Sequence, residues 1–148
     1  MVKAFHHQET KRVPFSADQL YGIVKDVLSY PEFLPWCLSA RIVEQQDIFF
    51  VADLMVGFKN IHETFRSVVH TNDAKKEITT RGTGKGPLST MDNHWRFIAV
   101  DDGHCDIEFS VTISFSSFII EKIFAPFFNE SIKKMTTAFL QRAHDLYG

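Results

Sequence analysis

The chain has few of the features that mark a disulfide-bonded or membrane-spanning protein. Cys37 and Cys105 are the two cysteines among 148 residues, and their spacing fits no metal-ligand motif, so we expect two reduced thiols. Long apolar runs are missing as well, because the run 118–120 is followed at once by a glutamate and a lysine. A membrane-spanning helix needs about 20 consecutive apolar residues. The sequence therefore excludes a disulfide scaffold and a helical membrane protein.

An excess of charge of one sign is also lacking. The chain carries 16 basic and 18 acidic residues, for a formal net charge of -2. This balance argues against a strongly basic nucleic-acid-binding protein, and we expect no DNA partner. The first residues include a lysine, two histidines and a glutamate instead of an apolar signal segment, so we expect a cytoplasmic protein.

Phenylalanine is the residue type that the chain has in excess. There are 15 Phe against 3 Tyr and 2 Trp, so most aromatic rings carry no hydrogen-bonding group. Such a composition suits a large apolar interior better than a polar active site. The length predicts one domain, spanning residues 1–148.

The first 37 residues predict a strand, a helix and a turn. Residues 3–13 indicate an edge strand, which Pro14 ends. Ser16 and Gln19 have the spacing of a capping box, and apolar residues at helical spacing extend the helix to about residue 28. Two prolines interrupt the segment 30–36, where a short helical turn is expected between them.

Residues 38–116 alternate between apolar and polar side chains, which predicts an antiparallel meander with one apolar face. Turn residues separate the strands near residues 72, 82–87 and 101–103. The apolar face comprises Phe50, Ala52, Leu54, Val56 and Phe58; Phe65, Ser67 and Val69; Met91, Asn93, Trp95 and Phe97; and Ile107, Phe109, Val111, Ile113 and Phe115. We interpret Asp53, Glu63 and Glu108 as solvated positions, although Glu63 shares the parity of Phe65.

The last 31 residues predict a long helix with an apolar stripe, interrupted at Pro126. One amphipathic helix must bury its stripe on the apolar face of the sheet, because no other apolar surface is large enough. The expected fold class is therefore α+β, with an antiparallel sheet wrapped around a long C-terminal helix. Bulky side chains on both surfaces leave a cleft between them.

Familiar catalytic and metal-binding motifs fail on their spacing. The loop 82–86 lacks the residues of a phosphate-binding loop and predicts a hairpin turn. A zinc-protease motif starting at His62 would need a second histidine where Arg66 stands, so we expect no metal site. Cys37 has no neighbouring base in the sequence, and we interpret it as a small buried residue rather than a nucleophile. We therefore expect no catalytic residues.

Three features leave alternatives open. Asn93 shares a face with Trp95, so its amide either fixes the backbone or orients the polar head of a ligand. Arg66 is either an electrophilic anchor or a surface charge. The phenylalanines fit either a plain core or a ligand-lined box, and spacing alone does not decide between the two.

Four segments resemble the coenzyme Q-binding branch of the START-like superfamily, which is also described as polyketide cyclase/dehydrase and lipid-transport proteins. The most specific segments are 30–37, Tyr-Pro-Glu-Phe-Leu-Pro-Trp-Cys, and 95–97, Trp-Arg-Phe. Gly57-Phe58 with Phe65, Ser67 and Val69, and the stretch 127–143, agree with it in order along nearly the whole chain. The resemblance implies a helix-grip fold. Two departures are Leu88, where the family usually has Phe, and Pro126, where a helix former is expected.

The resemblance also implies a function, namely non-catalytic binding of ubiquinone (coenzyme Q) in support of respiratory electron transport. Ubiquinone would then be a bound ligand, and no cofactor is expected. The resemblance places Trp36 and its flanking prolines at the mouth of the cleft. The expected ligand-binding residues are Phe33, Trp36, Phe58, Phe65, Asn93, Trp95, Phe109, Ile113, Phe128 and Met135.

Two other functions follow from the same resemblance. Some bacterial relatives are toxins that block the association of ribosomal subunits, which would make a ribosomal subunit the partner. Others are cyclases or dehydratases, which would need acid and base groups such as Glu63, Arg66 and Asn93 to converge in the cleft. For the lipid-binding function we also expect transient contact with a membrane surface, which would place the protein peripherally at the inner membrane.

Overall fold

A computed structural model describes residues 3–58, 60–84 and 86–148, except for the side chains of Phe58 and Ile61. A seven-stranded antiparallel sheet packs its inner face against helices. The elements are β1 (Ala4–Val13), α1 (Ala17–Lys25), β2 (Cys37–Gln45), β3 (Phe49–Phe58), β4 (Ile61–Asn72), β5 (Glu77–Gly82), β6 (Leu88–Asp101), β7 (His104–Phe115), α2 (Phe118–Phe124) and α3 (Phe128–Tyr147). Short 3₁₀ helices at Val27–Glu32 and Ala125–Phe127 follow α1 and α2.

The strands form the predicted meander. Their order in the sheet is β1-β7-β6-β5-β4-β3-β2, so that each strand from β2 to β7 pairs with the next one along the chain. The first strand returns to pair with the last, with Phe5 opposite Ile113 and Val13 opposite Cys105. The two edges of the sheet are therefore β1, as predicted, and β2.

The alternation along the strands separates the two faces of the sheet as predicted. Inner-face residues such as Val69, Trp95 and Phe109 are buried, and their neighbours in sequence point to the outer face. Asp53 is on the outer face, but the prediction that it is solvated is wrong, because Arg41 and Arg66 cover it and leave it 5% exposed.

The N-terminal helix begins with the predicted capping box. The Ser16 hydroxyl accepts from the Gln19 amide N–H at 3.1 Å, and the Ser16 N–H donates to the Gln19 side chain at 3.0 Å. Regular α-helix ends at Lys25 rather than near residue 28, and the 3₁₀ helix that follows contains Pro31. The expected turn thus begins before the first proline and does not lie between the two. The Tyr30 hydroxyl holds this turn to α1 by donating to the Val24 carbonyl.

The C-terminal helix is interrupted where the sequence predicts it. Pro126 lies in the 3₁₀ turn between α2 and α3. The longer helix α3 lies on the inner face of the sheet, with the Phe139 ring 5.3 Å from Trp95 and the Phe128 ring 5.6 Å from Phe5. Helix α1 packs against α3 and against β5, β6 and β7. This arrangement leaves a space between α3 and the middle of the sheet.

Candidate functional site

A cavity of about 350 Å³ lies between the inner face of the sheet and α3. Its volume falls within the range of about 300–1,000 Å³ that is usual for small-molecule sites. Its walls are mostly apolar, because they are built from the inner-facing positions of five strands and from the apolar stripe of α3. Such a space favours an apolar ligand.

The periodicities of the strands and of α3 place the lining side chains around the same space. On β6, Met91, Asn93 and Trp95 are two residues apart and therefore share the inner face. On α3, spacings of three and four residues place Phe128, Ser131, Ile132, Met135 and Phe139 on the side that faces the sheet. The periodic spacing that places side chains in the core therefore also places side chains in the wall of the cavity.

Most of the expected ligand-binding residues meet at this cavity. The side chain of Phe58 lies outside the part of the chain that the structure describes. Those that line the cavity are Trp36, Phe65, Asn93, Trp95, Ile113, Phe128 and Met135. Leu88, the departure from the family pattern, lines it as well.

Two described residues, Phe33 and Phe109, were expected in the wall but do not line the cavity. Phe109 lies opposite Trp95 on the neighbouring strand, with ring centroids 4.5 Å apart, and Trp95 lines the cavity whereas Phe109 packs in the core. The Phe33 ring contacts Tyr30 and Phe139, which do line the cavity, and the Arg142 guanidinium lies 5.1 Å from its centroid. Both residues therefore pack against aromatic rings of the cavity wall without lining the cavity themselves.

Among the residues that the structure describes, several small polar or charged side chains interrupt the apolar lining. They are Glu63, Ser67, Thr80, Asn93 and Ser131. The Asn93 amide donates to the Ser110 carbonyl at 3.5 Å, which agrees with a backbone-fixing role. Its contact with the polar head of a ligand stays a prediction.

Glu63 is exposed and also lines the cavity, so its interpretation as a purely solvated position is incomplete. It lies opposite Val56 in the β3–β4 pair and two residues before Phe65, and this parity is the sequence signal for its position. Sequence reasoning missed the contribution of α1 and the following turn, where Val24, Val27, Tyr30 and Leu34 line the cavity. The spacing of these residues in the sequence indicates that they pack in the core, but it does not indicate that they line a cavity.

Arg66 lies away from the cavity, on the outer face of the sheet. Its guanidinium donates to both carboxylate oxygens of Asp53, at 2.7 and 2.9 Å, and Arg41 donates to the same carboxylate at 3.1 Å. The hydrogen bond from Arg66 is the main cause that lowers the pKa of Asp53 below its ordinary value. Glu63 and Asn93 thus share the cavity without Arg66.

Both cysteines are free thiols, as predicted, and both are buried, as predicted for Cys37. Burial raises the pKa of Cys105 to about 11 and raises the pKa of Cys37, so both resist ionisation at neutral pH. Among the residues that the structure describes, His, Cys, Asp and Glu side chains form no group of three that could hold a metal ion. Within the same residues, no helix has the length and apolar character needed to cross a membrane.

Comparison with known proteins gives two informative relatives. The chain is 35% identical over 137 residues to a protein of Vibrio cholerae named ribosome association toxin RatA, covering 92% of this chain and 93% of the relative. It is 30% identical over 149 residues to coenzyme Q-binding protein COQ10 homolog B, mitochondrial, of Xenopus laevis. That second match covers 99% of this chain and 61% of the relative. Both agree with the resemblance that the sequence motifs indicate.

A solved structure and a family model complete the comparison. A START superfamily protein from Mycobacterium smegmatis superposes with a TM-score of 0.82 at 15% identity, over 95% of this chain and 98% of that one. This likeness confirms the predicted fold class, a START-like helix-grip fold. The model of the family described as polyketide cyclase/dehydrase and lipid transport matches residues 13–140. The chain therefore belongs to the polyketide cyclase/dehydrase and lipid transport family.

Proposed function

We propose that this chain binds a ubiquinone-type prenylated lipid in the cavity between the sheet and α3, and carries it without reacting on it, in support of respiratory electron transport. The observation that carries the proposal is the cavity itself, about 350 Å³ of mostly apolar space. We further propose that the protein works in the cytoplasm, with transient contact with the inner membrane.

The size of the cavity limits which part of such a ligand it can hold. A space of about 350 Å³ takes on the order of a dozen groups of about 30 Å³, the share of one water molecule in the liquid. This corresponds to one substituted ring with little of its tail. Each apolar methylene-sized group that the cavity buries contributes ~0.8 kcal/mol before the entropy cost of binding. Micromolar affinity is the expected range.

The sequence relatives support a quinone among the possible apolar ligands. The Xenopus relative is named a coenzyme Q-binding protein, and the match to it covers 99% of this chain. Polar side chains such as Asn93 and Ser67, set among apolar walls, suit a ligand with a few carbonyl or ether oxygens.

The arrangement of charged groups supports a carrier rather than an enzyme. Acid–base catalysis needs groups within hydrogen-bond reach of the reacting atoms. Arg66, one of the three residues expected to converge in an enzyme, instead binds Asp53 on the outer face of the sheet. Glu63 remains the acidic residue at the cavity, and it is exposed.

Neighbouring residues on β3 provide a matched test. Val56 lines the cavity, whereas Met55 lies on the other face and is 40% exposed. Val56→Trp fills part of the cavity, and we expect it to weaken the binding of a short-chain ubiquinone at least about tenfold, which corresponds to 1.4 kcal/mol. Met55→Trp adds the same ring outside the cavity and should leave the affinity unchanged. Isothermal titration calorimetry measures both.

Circular dichroism and thermal unfolding establish that both variants fold. Equal affinities for Val56→Trp, Met55→Trp and the unmodified chain would place the ligand elsewhere and contradict the proposal. A folded, unmodified chain that binds no ubiquinone would contradict it outright.

A ribosomal subunit is the second candidate partner, because the Vibrio cholerae relative named ribosome association toxin RatA is 35% identical over nearly its whole length. Five arginines on the outer face of the sheet could meet ribosomal RNA, but each is paired with a carboxylate across neighbouring strands. These pairs are Arg12–Asp106, Arg41–Asp53, Arg66–Asp53, Arg81–Asp92 and Arg96–Glu108. The neutralised face supports the lipid-carrier proposal over direct RNA binding.

Sucrose-gradient profiles after overexpression distinguish the two candidates. We expect unchanged 70S peaks for the unmodified chain and for Val56→Trp. Loss of the 70S peak with both chains would favour the ribosomal function, independent of the cavity.

A further inference from the structure

The short helix α2 exposes an unusual amount of apolar surface. Phe118 is 56% exposed, Ile119 72% and Ile123 37%, and α2, whose residues the structure describes in full, has no buried residue. The helix is nevertheless well defined at its start, since the Ser117 hydroxyl accepts from the Ile120 N–H at 3.1 Å. Packing in the core therefore does not explain Phe118, Ile119 and Ile123.

This helix forms part of the rim of the cavity. Its last residue, Phe124, lines the cavity and stacks on Phe115, with ring centroids 5.9 Å apart and the planes at 10°. Gly57, near the end of β3, also lines the cavity. We call Phe118, Ile119 and Ile123, the exposed apolar side chains of α2, the rim patch. The apolar lining of the cavity thus continues onto an exposed apolar surface at the rim.

The charges beside the rim patch are suited to an anionic surface. The Lys122 side chain is exposed, and its ammonium lies 4.7 Å from the Phe118 ring centroid. The neighbouring carboxylate of Glu121 is half-buried and accepts a hydrogen bond from the Lys3 backbone N–H at 2.7 Å. A short helix that presents large apolar side chains together with an exposed lysine has the chemistry of a helix that lies in the interface of an anionic bilayer.

The volume of the cavity gives a reason why an exposed apolar surface lies at its rim. About 350 Å³ holds one ring but not a tail of several isoprene units. The remainder of such a ligand must pass the rim, where it needs an apolar environment outside the protein. A bilayer provides that environment, whereas water does not.

We propose that the rim patch docks on an anionic lipid membrane, so that a prenylated ligand enters the cavity ring-first while its tail stays in the bilayer. The ligand in this proposal rests on the proposed function, whereas the docking surface rests on the exposed residues of the rim. Docking is peripheral, through the exposed apolar side chains of α2.

Two isoleucines of similar exposure provide the test. Ile119 in the rim patch is 72% exposed, and Ile48, in the turn between β2 and β3 at the other end of β3 from Gly57, is 66% exposed. Flotation with phosphatidylcholine vesicles that contain phosphatidylglycerol measures docking. We expect Ile119→Glu to reduce the vesicle-bound fraction at least about tenfold, whereas Ile48→Glu should bind like the unmodified chain. Pure phosphatidylcholine vesicles should bind more weakly than the anionic ones.

A parallel titration with short-chain ubiquinone in solution separates this inference from the proposed function. Retained ubiquinone binding by Ile119→Glu, with lost vesicle binding, supports the docking surface. If the unmodified chain binds vesicles through Ile119 but binds no ubiquinone, the docking surface stands and the proposed ligand fails.

Three results would overturn the docking surface. They are equal vesicle binding by Ile119→Glu and the unmodified chain, ubiquinone binding without vesicle binding by the unmodified chain, and a dimer in light scattering that Ile119→Glu dissociates in the absence of vesicle binding. Circular dichroism verifies folding, which should survive because the Ile119 side chain makes little packing contact.

Discussion

At the scale of single residues, pairs of oppositely charged side chains link neighbouring strands across the outer face of the sheet. Asp53 is the most enclosed of them, because its side chain is 6% exposed beneath two arginines, whereas the Asp92 side chain opposite Arg81 is 51% exposed. Enclosure makes a charged hydrogen bond worth more, because the carboxylate has fewer water molecules with which to replace its partners.

The first prediction concerns this difference. Asp53→Asn should lower the free energy of unfolding by about 1–2 kcal/mol, less than the full value of a buried charged pair because both arginines reach solvent. Asp92→Asn should lower the free energy of unfolding markedly less. Urea denaturation at neutral pH measures both, and equal losses for the two variants would contradict the role assigned to Asp53.

Acid should remove the contribution of Asp53. Its folded-state pKa is lowered, so the stabilisation is fully present above the ordinary carboxyl pKa of about 4 and is lost as the pH falls below it. The difference in stability between the unmodified chain and Asp53→Asn should therefore shrink below about pH 4. A difference that grows in acid would contradict this sign.

Which residues face the cavity follows from parity more reliably than from residue type. Trp95 and Ile113 were placed correctly because strands alternate with period two. Phe109 has the same parity and lies opposite Trp95, yet it does not line the cavity, and no sequence pattern shows which of two paired rings reaches the open space. The enclosure of Asp53 cannot be predicted from its own strand, because its two arginines come from the neighbouring strands β2 and β4.

At the scale of the element, the N-terminal caps of α1 and α2 begin helices that differ in how much they bury. Helix α1 buries Leu20 and Ile23 in the core, whereas no residue of the fully described α2 is buried. The stability of the whole molecule should therefore depend on the first cap and hardly on the second.

This contrast predicts different effects of one substitution at two sites. Ser16→Ala should reduce the free energy of unfolding by about 1 kcal/mol, since it removes the side-chain bond to Gln19 N–H. Ser117→Ala should leave global unfolding nearly unchanged but speed hydrogen exchange at the Ile120 amide, which it leaves unbonded. Denaturation and hydrogen exchange measure the two effects, and a global loss from Ser117→Ala as large as that from Ser16→Ala would refute the distinction.

Periodicity predicts most elements of this fold because each packs one face against a common core. The strands, the capping box and the break at Pro126 all carry local signals. The end of α1 was less predictable, since the Tyr30 hydroxyl reaches back to Val24 and ties a 3₁₀ turn onto the helix. Local propensity does not contain that contact.

At the scale of the whole molecule, the sheet and α3 enclose a space that their side chains leave partly unfilled. The excess of phenylalanine predicts apolar surfaces that face each other, but the sequence does not show whether they meet. Filled and unfilled cores share the same alternation, and the difference depends on the separation between α3 and the sheet. Only the folded chain shows the cavity of about 350 Å³.

The central claim is that a prenylated quinone occupies this cavity. Organic extraction of the purified chain, followed by mass spectrometry, tests it most directly, with Val56→Trp and Met55→Trp purified in parallel. We predict a prenylated quinone with the unmodified chain and with Met55→Trp, and a strong reduction with Val56→Trp. Repeatedly empty protein, or equal amounts of quinone with both variants, would contradict the account.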